Sequence, residues 1–215
     1  MASTTRRARR ADLRDGSRPR IFAAAAREFA AHGFAGANVD RIARAARLNK
    51  AMIYYHFKSK ADLYREILRD MFQSAAVRVN AVADSSMTPE DKIRGFVESI
   101  ALEAEARPHF PPIWFREIAD GGSHLDPATL SHIAGIVKRL GEIIREGVDA
   151  GRFQPVNLLL LHGGIVGPML LYFASGGLRL RIDRSGVSGA AAFGRDEVVA
   201  HIQRVALNTL QGQVS

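Results

Sequence analysis

The fold of this chain is decided by residues 34–60, which read FAGANVDRIARAARLNKAMIYYHFKSK. Asn38 is a favourable N-cap, because its side-chain oxygen can accept a hydrogen bond from an otherwise unpaired N–H of the first helical turn. Apolar residues then recur at helical spacing and form one face of a short helix: Val39, Ile42, Ala43 and Ala46. The turn Arg47-Leu48-Asn49 ends this helix, and Asn49 is placed to cap the next one.

The second helix of this stretch has one apolar side and one basic, aromatic side. Ile53 and Phe57 lie four residues apart and are expected to point inward. The outer surface then carries Lys50, Ala51, Tyr54 and Tyr55. Two short helices joined by a tight turn, with cations and aromatics on the exposed side of the second, are typical of a helix-turn-helix.

The same region resembles the DNA-binding domain of the tetracycline-repressor (TetR) family, over roughly Ser17 to Leu68. The resemblance rests on Gly33-Phe34, Ile42-Ala43 with Ala46, the run Ile53-Tyr54-Tyr55-His56-Phe57-Lys58-Ser59-Lys60, and Leu63. The chain departs from the family pattern at Ala37-Asn38, at Ala51-Met52 and at Arg47, which stands where a glycine usually makes the turn. Arg47 is therefore expected in a left-handed conformation, at a cost of ~1–2 kcal/mol.

The resemblance and the helical geometry together assign DNA contacts to nine residues. Phosphate contacts are predicted for Asn38, Tyr54, His56 and Lys60, and base contacts for Lys50, Ala51 and Tyr55. Arg41 and Arg44 are predicted to reach DNA or to form plain solvated surface. His56 is open to a second interpretation as a helix-end cap, and Tyr54 to one as a partly packed side chain.

Composition and charge agree with a polyanion partner. The 215 residues contain 30 Lys and Arg against 22 Asp and Glu, a formal net charge of +8. There are no cysteines, which excludes disulfides and thiolate chemistry. The Arg-rich residues 1–16 are not followed by an apolar core, so they are not a secretory signal. A cytoplasmic protein is expected.

The rest of the chain predicts an all-α protein. Further helices are expected at 17–32, 59–83, from 88–91 onward, 113–119, 126–150, 158–173 and 196–210, with 175–194 as a loop. Ser17, Asp126 and Asp196 are the predicted caps of their helices. The expected domains are a basic arm (1–16), a three-helix DNA-binding domain with the helix-turn-helix (17–62) and a helical effector-binding and dimerisation domain (63–215).

The resemblance implies a small-molecule effector site among the later helices. Its candidate lining comprises Phe96, Ile100, His109, Phe110, Trp114, Phe115, Arg116, His162, Met169 and Tyr172. Each of these residues, taken alone, is more simply explained as an ordinary core position. Arg116 suits an anionic ligand, although a salt bridge to Glu117 or Glu103 explains it as well.

The segment 156–174 is apolar but contains Pro168 and barely reaches the ~20 residues that a bilayer needs. It is interpreted as a buried or interface helix, and no membrane partner is expected. A homodimer is predicted through the faces of 158–173 and 196–210, bound to a palindromic double-stranded DNA operator.

The alternatives are a transcriptional activator, a DNA-binding protein without an effector, and a helical enzyme. The third has little support in the sequence. His124, Asp126 and His132 lack tight metal-ligand spacing. Gly163-Gly164 with Gly167 follows no strand and so is no phosphate loop. No catalytic residue, metal or cofactor is predicted.

Overall fold

The computed structural model describes residues 16–212, which form ten helices and no strand. The helices are α1 (Ser17–Gly36), α2 (Val39–Ala45), α3 (Lys50–His56), α4 (Lys60–Ala83), α5 (Pro89–Ala106), α6 (Phe110–Ala119), α7 (Pro127–Asp149), α8 (Leu158–Ala174), α9 (Gly176–Arg184) and α10 (Arg195–Leu210). The predicted all-α class is confirmed. The predicted arm, residues 1–16, lies outside the described residues apart from Gly16.

The chain divides into two compact units. Among the described residues, unit 1 contains residues 16–70 and 112–126, and unit 2 contains residues 71–111 and 127–212. Helix α4 therefore begins in unit 1 and ends in unit 2, and most of α6 belongs to unit 1. The boundary between residues 62 and 63 remains a prediction about the functional domains.

Unit 1 is built on the apolar faces that the sequence predicted. α1 packs against both α2 and α3. The largest fully buried side chains of unit 1 include Phe29, Ile42, Ile53, Phe57 and Tyr64. Because Ile53 and Phe57 anchor α3 on this core, the opposite face of α3 is held outward.

Unit 2 is a helical bundle. α5 packs against α7, α8 and α10, and α8 packs against α7 and α10. The centre of the bundle is filled by large apolar side chains: Phe96, Val97, Leu140, Ile165, Met169 and Ile202.

Three helices begin at N-cap residues that the local sequence predicts. Asn38 accepts from the Asp40 N–H and Asn49 from the Met52 N–H, as predicted. Thr88 accepts from the Asp91 N–H at the start of α5. Each of these caps pairs one N–H that the first helical turn leaves without a partner.

Two of the predicted caps are wrong. The N-cap of α1 is Gly16, and Ser17 instead forms a short hydrogen bond to Nε2 of His56. The N-cap of α10 is Gly194, whose N–H donates to Glu197 Oε2 at 2.7 Å, so Asp196 lies inside the helix.

The predicted loop at 175–194 is also corrected, because it contains α9. Its apolar residues, Leu178, Leu180 and Ile182, recur at every second position and so form no apolar helical face, and none of its residues is buried. Within residues 16–212 no single helix is long and apolar enough to cross a membrane. The pair α8 and α9, bent by 66° at their junction, meets that test together by length and composition.

Candidate nucleic-acid interface

The turn between α2 and α3 sets the geometry of the helix-turn-helix. Arg47 has a φ of 54°, which confirms the left-handed conformation expected where the family pattern has glycine. The Leu48 N–H donates to the Ala43 carbonyl at 2.9 Å across this turn. Arg20 of α1 donates to the carbonyls of Ala46 and Arg47 at 2.5 and 3.2 Å. The turn is thereby tied to the first helix.

The outer face of α3 is open to solvent. Tyr54 is 48% and Tyr55 61% exposed, and Lys50 and Ala51 are exposed as well. Lys50 Nζ lies 3.0 Å from Asp40 Oδ2 of α2, and the hydrogen bond to that carboxylate raises the lysine pKa above its ordinary value. An exposed pair of this kind is weak. The four predicted residues of α3 therefore share one accessible surface.

Arg41 is held within the unit instead. Its Nε lies 2.7 Å from Glu28 Oε1, and its Nη2 donates to the Gly36 carbonyl at 2.6 Å. Glu28 also accepts the Asn38 N–H at 2.9 Å and is largely covered. Burial acts to raise the pKa of Glu28, but the hydrogen bonds from Arg41 and Asn38 outweigh it and lower the pKa below its ordinary value. Arg44 is exposed and makes no side-chain hydrogen bond or ion pair within residues 16–212.

His56 and Lys60, both predicted phosphate contacts, have partners inside unit 1. Lys60 Nζ donates to the carbonyls of Phe34 and Ala37 at 2.9 and 3.2 Å, and lies 4.6 Å from the centre of the Phe34 ring. His56 is hydrogen-bonded to Ser17, which is fully buried. The structure thus brings Lys50, Ala51, Tyr54 and Tyr55 together on one face and uses the other two side chains in packing.

Sequence reasoning missed Glu28 and Asp40 as part of this surface, and it predicted that Arg20 could meet phosphate, whereas Arg20 is bonded to the turn. Each acts on a residue ten or more positions away, so no local spacing signals it. The packing of α1 against α2, and of α2 against α3, brings these groups together.

Comparison with known proteins places this domain. Residues 21–67 match the family model for bacterial regulatory proteins of the tetR family. The transcriptional repressor SCO4008 of Streptomyces coelicolor is 34% identical over 120 residues, 56% of this chain and 57% of that protein. The repressor NicS of Pseudomonas putida is 29% identical over 166 residues, 76% of this chain and 78% of that protein.

The solved structures show the same fold. The TetR-family regulator PfmR of Thermus thermophilus superposes with a TM-score of 0.68 at 24% identity, over 90% of this chain and 96% of that one. A tetR-family regulator from Rhodococcus RHA1 gives a TM-score of 0.70 at 21% identity, over 89% and 95%. Residues 21–67 are therefore a DNA-binding domain of the TetR type. The relatives SCO4008 and NicS are both named as transcriptional repressors, in agreement with the expected regulator.

A further part of unit 1 lies outside the segment that matches the TetR model. The carboxylate of Glu117, on α6, is fully buried and accepts three hydrogen bonds. They come from Tyr64 Oη at 3.1 Å, the His124 N–H at 2.7 Å and His124 Nδ1 at 3.1 Å. Burial beside this carboxylate raises the pKa of Tyr64 far above its ordinary value. Residues 112–126 are thereby fastened to α4.

Arg116 fastens the same segment to α1. Its Nη1 makes a short hydrogen bond to the Ala30 carbonyl, and its Nη2 donates to the Ala31 carbonyl at 3.2 Å. Its Cδ would lie 3.2 Å from a Cβ at Gly33, whose φ is 67°. This corrects the interpretation of Arg116 as the salt-bridge partner of Glu117 or Glu103, since its contacts are carbonyls of α1.

The candidate effector residues of this chain fall in both units. Trp114, Phe115 and Arg116 belong to unit 1. Unit 2 holds the others: Phe96, Ile100, His109, Phe110, His162, Met169 and Tyr172. His162 is partly buried with its ring 6.4 Å from that of Phe96, and burial lowers its pKa below the ordinary value. The role of this set in ligand binding stays a prediction.

Proposed function

We propose that the chain is a DNA-binding transcriptional repressor, which acts as a dimer on a palindromic operator and is released by a small-molecule effector. The observation that carries the proposal is the outward face of α3. Lys50, Tyr54 and Tyr55 are exposed there, while Ile53 of the same helix is buried in the core. The relatives named above are transcriptional repressors, which supports repression over activation. Such a protein would work in the cytoplasm, where its operator is.

The chemistry of the α3 face suits the major groove. A lysine ammonium can donate to the O6 and N7 acceptors of guanine, and a tyrosine ring or an alanine methyl packs on a thymine methyl. Asn38 and the N–H groups at the start of α3 lie beside this face and suit phosphate. Arg44, free of partners among the described residues, is available to the backbone or to a base edge.

The dimer is supported by the outer faces of α8 and α10. Leu159, Leu160 and Leu171 of α8 are 68%, 75% and 57% exposed, and Val205 of α10 is 47% exposed. The α8 backbone between these leucines is not covered by other side chains, because no atom lies within 4 Å of a Cβ built at Gly163, Gly164 or Gly167. A patch of exposed leucines with room for close backbone approach is typical of a subunit interface.

Release by an effector follows from a population shift. Two recognition helices must sit about one helical turn of DNA (~34–36 Å) apart to occupy both half-sites. A ligand that binds better to a subunit arrangement with another spacing lowers the affinity for DNA by its differential affinity for the two arrangements. The buried aromatic and histidine side chains of unit 2 are the candidates for recognising such a ligand.

The test of DNA binding is a gel-shift assay on an operator found by genomic footprinting with the purified protein. Lys50→Ala with Tyr55→Ala should lower operator affinity by about 1–3 kcal/mol for each base contact removed. Lys138→Ala is the matched control, because it removes an exposed lysine of α7 in unit 2 and changes net charge equally. Wild-type affinity should also fall steeply as salt rises. Operator affinity equal in the double variant and the control would reject the proposed face.

A further inference from the structure

The turn between α2 and α3 contains Arg47, the one residue other than glycine with a positive φ in the part of the chain that the structure describes. A left-handed conformation crowds any side chain against its own backbone, so it persists only where other contacts hold it. The Leu48 N–H donates to the Ala43 carbonyl at 2.9 Å, and the Arg47 N–H donates to the Arg44 carbonyl at 3.0 Å. These two bonds form the Schellman motif, with Arg47 at the position where glycine is usual.

The Schellman bonds do not use the carbonyls of Ala46 and Arg47, the two nearest the turn. Both accept instead from Nη2 of Arg20 on α1, at 2.5 and 3.2 Å. Hydrogen bonds from a charged donor are stronger than those between neutral groups, and a cation at the end of a helix is also favoured by the helix dipole. Arg20 thus completes the end of α2 and bonds it to α1.

The same helix holds the start of α2. Glu28 of α1 accepts from the Asn38 N–H at 2.9 Å and from Arg41 Nε at 2.7 Å. Eight residues separate Glu28 from Arg20, which is ~12 Å of helix and about the length of α2. α1 therefore lies along α2 in the opposite direction, with a carboxylate at the start of α2 and a guanidinium at its end.

The direction of α3 depends on this turn. α3 begins at Lys50, three residues after Arg47, so a change in the backbone angles of Arg47 would rotate the whole helix about its start. The buried Ile53 sets the depth of α3 in unit 1, whereas the bonds from Arg20 set the point at which the chain leaves α2. Hydrogen bonds to base edges weaken steeply away from linear geometry, so base recognition requires α3 at a fixed angle.

A phosphate contact is the other role that suits an exposed arginine at this position. Nε and Nη1 of Arg20 make no hydrogen bond within residues 16–212. The two bonds of Nη2 to carbonyls, however, are made without any DNA, which favours a role in positioning. The two roles differ in a measurable way, because loss of a phosphate contact weakens binding to every sequence and lowers its salt dependence.

We propose that Arg20 is a positioning residue for base recognition. It holds the left-handed turn at Arg47 and thereby the angle at which α3 meets the bases. A glycine at position 47 would adopt this turn without such help. The inference rests on the proposed DNA-binding function, and it adds a residue of α1, outside the two helices of the helix-turn-helix, to those that determine sequence specificity.

The test is a gel-shift titration of the operator and of a scrambled duplex of the same length and base composition, at several salt concentrations. Arg20→Met should lower the ratio of operator affinity to scrambled-duplex affinity about tenfold, the size of one good base contact, and should leave the salt slope unchanged. Arg20→Lys keeps the charge with fewer donors and should fall between. The matched control is Arg27→Met, which removes an exposed arginine of the same helix that has no hydrogen bond or ion pair within residues 16–212. It should keep the wild-type ratio.

Replacement of Arg47 separates backbone conformation from charge. Arg20→Met combined with Arg47→Gly should regain most of the wild-type affinity ratio, because glycine tolerates the left-handed turn. Arg20→Met combined with Arg47→Ala loses the same charge but keeps a Cβ at the turn, so its ratio should stay low. Thermal melts without DNA show that each variant folds. The fall in Tm caused by Arg20→Met, about 2–4 °C, should be at least halved when glycine stands at position 47.

Three results would overturn the proposal while wild type still distinguishes the two duplexes. A wild-type affinity ratio in Arg20→Met would leave Arg20 with a purely structural role. A salt slope smaller by about 0.9 with an unchanged ratio would make Arg20 a phosphate contact. Equal recovery with glycine and with alanine at position 47 would exclude the left-handed turn as the cause. Equal binding of operator and scrambled duplex by wild type would instead reject the proposed function, and this inference with it.

Discussion

Replacement of Glu117 by leucine should destabilise unit 1 strongly. The substitution removes the acceptor of three hydrogen bonds and leaves the buried Tyr64 hydroxyl and the partly buried His124 N–H without a partner. Each buried donor left unpaired costs about 1–3 kcal/mol, so the two together cost about 2–6 kcal/mol. Relief of the desolvated carboxylate offsets part of this cost. We expect a net loss of about 3 kcal/mol in the free energy of unfolding.

Trp114 makes this loss measurable in the unit concerned, because it is the only tryptophan of the chain and belongs to unit 1. Urea unfolding followed by its emission should show a lower midpoint for Glu117→Leu. Tyr64→Phe removes one donor and leaves the carboxylate its two bonds from His124, so it should cost only about 1–1.5 kcal/mol. Glu66→Gln breaks an exposed pair with Arg18 and should change stability by less than about 0.5 kcal/mol.

A double-mutant cycle separates the hydrogen-bond network from simple loss of volume. The loss of stability in the variant with both Tyr64→Phe and Glu117→Leu should be about 1 kcal/mol smaller than the sum of the two single losses. The reason is that phenylalanine has no hydroxyl that would be left unpaired when Glu117 is removed. The reasoning is refuted if Glu117→Leu unfolds at the wild-type midpoint with an unchanged slope. Strict additivity of the two substitutions would contradict the network in the same way.

Two further predictions concern unit 2. A Cβ at Gly147 of α7 would overlap the Phe153 ring, so Gly147→Ala should lower the free energy of unfolding by about 1–3 kcal/mol or more in a thermal melt. Gly135→Ala on the same helix meets no atom within 4 Å and should be neutral or stabilising by up to about 1 kcal/mol, and equal melting temperatures of the two variants would contradict this. Burial lowers the pKa of His162 below its ordinary 6.5, so the unfolded state binds more protons just below that pH. Stability should therefore fall as pH drops below 6.5, the fall should disappear in His162→Gln, and it should persist in the exposed control His201→Asn.

The sequence predicted those elements whose signals are local. Apolar spacing placed α2 and α3, side-chain oxygens at Asn38 and Asn49 located their first turns, and the family pattern at Arg47 predicted a left-handed residue. In each case the cause lies within a few residues of its effect.

The wrong predictions concern residues whose contacts lie far away in the sequence or are absent. Ser17 is hydrogen-bonded to His56, 39 residues away, and does not cap its helix. Arg116 donates to a carbonyl of α1 that is more than 80 residues away. α9 was not predicted because its leucines and arginines alternate in the sequence and form no apolar helical face. None of its residues is buried. Sequence spacing carries no signal for contacts that exist only after packing.

The cations near the proposed DNA surface are not equivalent, and the acids that hold them decide their roles. Asp40 is more than half exposed, so water competes for it and its pair with Lys50 opens at little cost. Glu28 is largely covered and is shared between Arg41 and the Asn38 N–H. Release of Arg41 would leave that carboxylate buried with a single donor, which is expensive. Lys50 is therefore suited to exchange a carboxylate for a base, whereas Arg41 holds α2 on α1 so that α3 is presented at a fixed angle.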